Sequence, residues 1–317
     1  MIEEKKSMTP HGLMFHHFHN DAHPEGQGSI SAETFDEMLN FISKRFVILT
    51  AEEWIDRSLS GLLQKNHVCL TFDDNLLCQY EVALPVLKAR GLTAFWFIYS
   101  SPLVGQIERV ELYRYFRTVS FESVNKFYDS FAVSLDQSPY GTLVRETLKT
   151  VDINTHLADY PFYTTSDRWF RYVRDLILGP ERYHDLMDRM ISASNLDPET
   201  VPNRLWMNRS HLGDLVNRGH IIGLHSHTHP TRIKDMTATD QQSEYADNLN
   251  ILQEIAIEPI KTMAHPCGSW SEETLEILEK MGIQIGFHSA MTVPRHHHLL
   301  FPRQDHAILL KQMQKVA

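Results

Sequence analysis

The chain has 317 residues, enough for one large α/β domain or two smaller ones. Its 42% apolar and 22% charged content suits a packed core and excludes a disordered chain. A formal net charge of −10 argues against a nucleic-acid binder, which needs a basic face for the phosphates.

In chain order, residues 12–18 read as a first strand. A helix comes next, capped by Ser31, with Phe35, Met38, Leu39 and Ile42 on one face. Residues 47–49 form a second strand and 50–59 a helix. The apolar run 67–72 is a third strand that stops at Asp73-Asp74-Asn75. Residues 80–90 read as a helix with Pro85 in its first turns, closed by Gly91 before a strand at 93–99. The rhythm resumes with a helix at 208–218, Gly219 and a strand at 220–224. Thr239 with Gln242 makes a capping box for a helix to about 255. A strand at 260–264, a helix opened by Ser271, Glu272 and Glu273, a strand at 283–287 and a short strand at 299–301 complete the pattern. Strands alternating with helices predict an α/β fold built on a parallel sheet.

Between the halves, over residues 101–205, the alternation fades into helix formers and aromatics, among them Tyr113, Tyr115, Phe116, Trp169, Phe170 and Tyr172. The flanking runs continue one pattern, so residues 1–317 are expected to form a single domain. In it, 101–205 is a helical insertion serving as a lid or a subunit interface, and a homo-oligomer is compatible with it.

Cys69, Cys78 and Cys267 are an odd number without a Cys-x-x-Cys pair, which implies neither a disulfide framework nor a cysteine zinc site. The N-terminus, Met1-Ile2-Glu3-Glu4-Lys5-Lys6, lacks the apolar core of a secretory signal. No apolar run reaches the ~18–20 residues that cross a bilayer. The expectation is a cytoplasmic protein without a transmembrane segment.

Four clusters carry chemistry, each at the C-terminal end of an expected strand, where a (β/α) barrel gathers its reactive groups. Asp73 and Asp74 point different ways from a strand end, so one can hold a metal while the other faces substrate. His225, His227 and His229 alternate after an apolar run; two such imidazoles with one carboxylate leave coordination positions open for water. Spacing alone does not say which two. His265-Pro266-Cys267-Gly268 follows the strand at 260–264 and, alone, is a weak signal, because Pro and Gly are routine loop residues. Phe15-His16-His17-Phe18-His19 ends the first strand and offers a general acid. The run His296-His297-His298 reads as a loop.

Together these clusters resemble the polysaccharide deacetylase, or NodB-homology, family (carbohydrate esterase family 4), in its branch with a YH-type opening. Leu13-Met14-Phe15-His16-His17 is similar to its "LMYHR" opening, and Thr71-Phe72-Asp73-Asp74 to its "TFDD". The segment through Tyr80-Glu81-Val82-Ala83-Leu84-Pro85 looks like the family's stretch after "TFDD". His225-Ser226-His227-Thr228-His229-Pro230 matches the second motif, Pro266-Cys267-Gly268 resembles Pro-Tyr-Gly, and Phe301-Pro302-Arg303-Gln304-Asp305 looks like "PRID". The resemblance spans roughly residues 12–100 and 206–306. It implies a distorted (β/α) barrel with Asp73 as base and Asp74, His225 and His229 as ligands of one divalent metal. Zinc is the first expectation, with iron, cobalt or nickel as alternatives. It implies His16 as general acid, and His227, His265, Pro266, Cys267, Gly268 and Asn75 as residues around the ligands or the substrate.

Two departures stand out. Asn75 replaces the usual glycine, tolerable because Asn accepts left-handed backbone angles. His265 replaces the usual arginine or aromatic, so Arg303 is taken as the group that orients Asp73. The activity implied is removal of an acetyl or formyl group from an amino sugar. The sugar would be nucleotide-linked, lipid-linked or part of an oligosaccharide, in surface-polysaccharide or glycoconjugate synthesis. The alternatives are an inactive sugar-binding protein of the same fold, a two-His-one-carboxylate iron enzyme, whose usual setting is all-β, and a phosphoesterase with clustered histidines.

Overall fold

The structure is a computed structural model that describes residues 9–158, 163–293 and 296–315. The N-terminal residues considered above for a leader lie outside them. Eight strands form one parallel sheet: β1 (His11–Phe15), β2 (Val47–Ile48), β3 (His67–Asp73), β4 (Phe95–Ile98), β5 (Ile221–Leu224), β6 (Thr262–Ala264), β7 (Ile285–Phe287) and β8 (Arg303–Asp305). The strand order is β7-β6-β5-β4-β3-β1-β8, with β2 paired to the first residues of β3 and β4 to its last.

The segment from His298 to β8 brings the two edges together. The Gly286 amide donates to the His298 carbonyl, the Phe301 amide to the Gly286 carbonyl and the His288 amide to the Phe301 carbonyl, before Gly12 of β1 donates to Pro302. The result is a nearly closed barrel. Because every pair is parallel, all the strands end on one rim, which is what brings residues distant in sequence into one site. This is not the all-β setting of the iron-enzyme alternative.

Two apolar layers hold the barrel. Cys69, Phe95, Phe97, Ala264, Ile285 and Phe287 fill its interior against Trp54. On its outer side Phe15, Phe35 and Phe72 pack edge and face, and Phe72 stacks on Trp96 at 4.5 Å between ring centroids. Each such buried ring contributes on the order of 2–3 kcal/mol.

The local signals place most elements correctly and miss some ends. Ser31 caps the helix Ala32–Ser43, and Thr50 with Glu53 forms a capping box on Ala51–Leu59. The expected strand 12–18 stops at Phe15, and Phe18 leaves the sheet to bridge Ile30 and pack on Phe35 and Phe72. The helix at 80–90 begins as a π-helical turn, Gln79–Ala83, before Leu84–Arg90, where Pro85 sits in the first turn. The capping box is not at Thr239: Thr237 caps Ala238–Gln253 with Asp240, and Gln241 and Asn248 are turned into the core. The last strand is Arg303–Asp305 rather than 299–301, of which only Phe301 makes a bridge.

The chain divides into two compact units, residues 1–108 with 203–317, and residues 109–202. The second is helical: Arg109–Val119, Val124–Gln137, Gly141–Leu148, Thr165–Tyr172 and Gly179–Ser192 pack through Phe116, Phe127, Phe131, Phe170 and Tyr183. Tyr113, Tyr128 and Tyr140 each donate to a carboxylate, Asp188, Asp167 and Asp185 respectively, tying helices to one another. No described helix is long and apolar enough to cross a membrane.

Candidate metal centre

Asp74, His225 and His229 converge on the rim, their ligand atoms all within 4.8 Å of one another. Nε2 of His225 and Nε2 of His229 each lie 3.4 Å from Oδ1 of Asp74. Tetrahedral ligands about 2.1 Å from a zinc-sized ion stand about 3.4 Å apart, so these edges match such an ion. Oδ1 of Asp74 is buried and has no hydrogen-bond partner among the described residues, an arrangement that costs free energy unless a cation satisfies it. The donor set therefore fits a divalent metal.

The backbone explains the convergence. Asp74, Asn75, Ser226 and His229 all adopt left-handed angles, which turns each chain sharply at its strand end. His225 donates from Nδ1 to the Ala264 carbonyl at 2.8 Å, leaving the lone pair of Nε2 directed at Asp74. Its amide donates to Asn248, whose own side-chain amide donates to the Ile98 carbonyl. His227 belongs to the same loop but not to the ligand cluster. Its Nδ1 is 2.9 Å from Ser100 Oγ, and Glu244 accepts from the amides of His227 and Thr228.

Asp73, the last residue of β3, is 2% exposed, and its Oδ1 accepts from Arg303 Nη1 at 2.7 Å. Oδ2 stays open toward His16, whose Nε2 is 3.8 Å away and equally close, at 3.9 Å, to Asp74 Oδ2. The same Nη1 also donates to Thr71 Oγ1, and Nε of Arg303 donates to the His288 carbonyl. The arginine inferred from the sequence thus contacts Asp73 directly.

Electrostatics follow from burial and these pairs. Burial alone would raise the Asp73 carboxyl, but the Arg303 guanidinium, with His225 and His16, outweighs it and holds the group below the ordinary carboxylate range. Asp74 is likewise held down against burial by His229, His225 and His16. Burial lowers His229 to about 4, so its lone pair is free for a metal near neutrality. For His225 burial also lowers, yet Asp73 and Asp74 prevail and its pKa is raised.

The remaining expected residues fall around this centre. Asn75 is fully buried, adopts a left-handed turn and donates to the Met207 carbonyl. His265 is fully buried, donates from Nε2 to the Leu299 carbonyl, and is lowered by burial to about 3, so it is a neutral structural imidazole. Pro266, Cys267 and Gly268 form a tight turn in which Cys267 is exposed. His297 and His298 face Glu279 away from this cluster. The Leu299 amide donates to His297 Nδ1, which puts the ring proton on Nε2 and makes it a donor rather than a ligand.

Sequence reasoning missed Gln79, Asn248 and Glu244. Gln79 is fully buried and donates to the carbonyls of both His16 and Asp73, joining the two strand ends that carry them. Asn248 shares the buried stripe of Tyr245 and Leu252; a polar residue on an apolar helix face was the available signal.

The fold is thus a nearly closed parallel barrel with a candidate two-histidine, one-carboxylate metal site on its C-terminal rim. The sequence model of the family described as Polysaccharide deacetylase matches residues 196–286, which carry His225, His229 and the turn after β6. The resemblance seen in the motifs is thereby supported, and the fold agrees over most of the chain. The deacetylase PplD of Streptococcus pyogenes, solved in complex with acetate, superimposes with a TM-score of 0.53 at 16% identity, over 94% of this chain and 91% of that one. IcaB from Ammonifex degensii gives 0.54 at 16%, over 93% and 91%. The deacetylase domain of BpsB from Bordetella bronchiseptica gives 0.53 at 13%, over 94% and 96%. No curated protein sequence matches the chain.

Proposed function

We propose that the protein is a metal-dependent hydrolase that removes an N-acyl group from an amino sugar, with acetyl the first candidate and formyl the second. The observation that carries the reading is the partnerless Oδ1 of Asp74, 3.4 Å from the Nε2 atoms of both His225 and His229, beside an ionised Asp73. Family and fold support it, since the neighbours include proteins described as deacetylases and one was solved with acetate.

Asp74, His225 and His229 would hold the metal, which when bound supplies a Lewis acid for the acyl oxygen and acidifies water. Arg303 occupies Oδ1 of Asp73 and keeps the carboxylate charged, so Oδ2 is the atom that takes a proton from the attacking water. His16 stands on the same open side and returns a proton to the departing amine. Gln79 fixes the spacing of acid and base through both their carbonyls. The substrate class proposed is a nucleotide-linked, lipid-linked or oligomeric amino sugar of surface-polysaccharide or glycoconjugate assembly, handled in the cytoplasm.

The test pairs metal analysis with amine release from N-acetyl and N-formyl amino sugars, using the parent protein, Asp73→Asn and His225→Ala. About one metal per chain, lost in His225→Ala, and turnover lost in Asp73→Asn with metal retained, is the expected outcome. Tight metal without cleavage of any acylated sugar would sink the assignment of substrate. No metal at all would favour the sugar-binding alternative.

A further inference from the structure

We infer that Gly12 is a positioning residue: its missing side chain is the space through which Arg303 reaches Asp73. The inference rests on Asp73 being the base. Gly12 of β1 and Arg303 of β8 are register partners on adjacent parallel strands. A β-carbon on Gly12 would stand 3.0 Å from Cγ and 3.2 Å from Cδ of Arg303, and 3.2 Å from Cγ2 of Thr71.

Gly12 is not among the residues with positive φ, so its backbone would accept any L-residue. What it provides is volume rather than conformational freedom. Gly223 and Gly286 are also closely packed, but they meet Phe97 with Thr262, and the Leu299 backbone, none of which touches Asp73 through a hydrogen bond.

Neither neighbour of Gly12 can yield at no cost. Arg303 is 1% exposed and its guanidinium is pinned by the His288 carbonyl, Thr71 Oγ1 and Asp73 Oδ1. Thr71 is itself tied by its hydroxyl to the Leu13 carbonyl. A methyl group at position 12 therefore moves the Arg303 stem, and with it the hydrogen bond that aims Asp73 Oδ2 at the open side of the site.

The experiment uses metal-loaded full chain as Gly12→Ala, Arg303→Ala, the double variant, and Gly213→Ala, whose added carbon meets nothing within 4 Å. Gly12→Ala is expected to lower kcat for release of amine about tenfold to a hundredfold, with KM nearly unchanged. In the Arg303→Ala background the same change should cost nothing further, whereas a merely structural glycine would give additive losses and overturn the proposal. A second readout needs no turnover: the Arg303 Nε–H resonance, assigned by its absence in Arg303→Ala, should shift and exchange faster in Gly12→Ala. An unmoved resonance overturns the proposal even if the reading of Asp73 stands, whereas an Asp73→Asn variant that keeps turnover removes the reading on which the proposal rests, whatever the resonance does. Should Gly12→Ala fail to fold, a folded double variant supports the proposal, because the Arg303→Ala change vacates the volume. Failure of both shows that the barrel itself needs the space and refutes it.

Discussion

Nη1 of Arg303 lies 2.7 Å from Oδ1 of Asp73, both side chains almost fully shut off from solvent, although 230 residues separate them in the chain. A buried ion pair of this kind adds little net stability, but breaking it leaves a buried charge alone, at about 3–5 kcal/mol. Arg303→Ala should lower the melting temperature by several degrees and lower kcat together with it. Thermal unfolding and steady-state rates check this, and full retained activity would remove Arg303 from the site.

On the proposed reading, Asp73→Asn preserves shape but removes the proton acceptor. It should bind metal as the parent does and lose about 10²–10⁴-fold in kcat, and His16→Ala should fall in the same range. Metal content and turnover on the same samples separate these variants from His225→Ala, which should lose the metal itself. A His16→Ala variant with normal turnover would show that the amine leaves without it.

Metal affinity should depend on pH through one proton. Burial lowers His229 to about 4 and Asp74 stays ionised, so neither carries a competing proton near neutrality. His225 has a raised pKa, above 6.5, and below it a metal must displace the proton on Nε2. Affinity should then fall up to about tenfold per pH unit as pH drops through the region near and below neutrality, and level off above the raised pKa. Titration calorimetry in buffers of different ionisation heat should count close to one proton released per metal at about pH 6. A pH-independent affinity there would contradict the assignment of His225 as ligand.

Stability at mildly acid pH should depend on His220, just ahead of β5. Burial, with Arg218 nearby, lowers its pKa to about 4, and the Ala94 amide donates into the Nδ1 lone pair that a proton would take. The unfolded chain binds this proton below about 6.5 and the folded one only near 4, so stability is intact above 6.5 and is lost as pH falls toward 4. The contribution is up to about 3 kcal/mol. Denaturant titrations from about pH 7 down to about pH 4 should show a shallower decline in His220→Gln than in the parent.

Gln79→Leu should act on the site without touching a ligand. It leaves the carbonyls of His16 and Asp73 without their shared donor, a cost of about 1–3 kcal/mol, and frees the two strand ends to drift. The expected result is a lower kcat with unchanged metal content; unaltered kcat would mean the strands hold their spacing unaided.

The site was legible in the sequence where chemistry sits at strand ends, because a strand end is announced locally by an apolar run that stops. Asp73, Asp74 and the cluster His225, His227 and His229 were readable in that way, although only the family motif singled out His225 and His229, and Asn75 was readable because its side chain suits the left-handed turn. The residues that hold these in place were not. Gln79 and Asn248 act through backbone carbonyls and amides of other segments, and nothing local marks a buried amide as a brace. Arg303 was found only through its motif, since it enters from the start of β8 rather than from the rim. Strand ends were misjudged where residues kept apolar character after leaving the sheet, as at Phe18 and Leu299 to Phe301.

The stretch that runs from His298 into β8 has a temporal consequence. It supplies both the seam between β7 and β1 and the guanidinium beside Asp73. A growing chain can therefore lay down β3, both histidines and most of the barrel while Asp73 still lacks its counter-charge. The rim is completed late, with the docking of a single strand, so truncation upstream of Arg303 should yield a protein that gathers Asp74, His225 and His229 but leaves Asp73 unaimed.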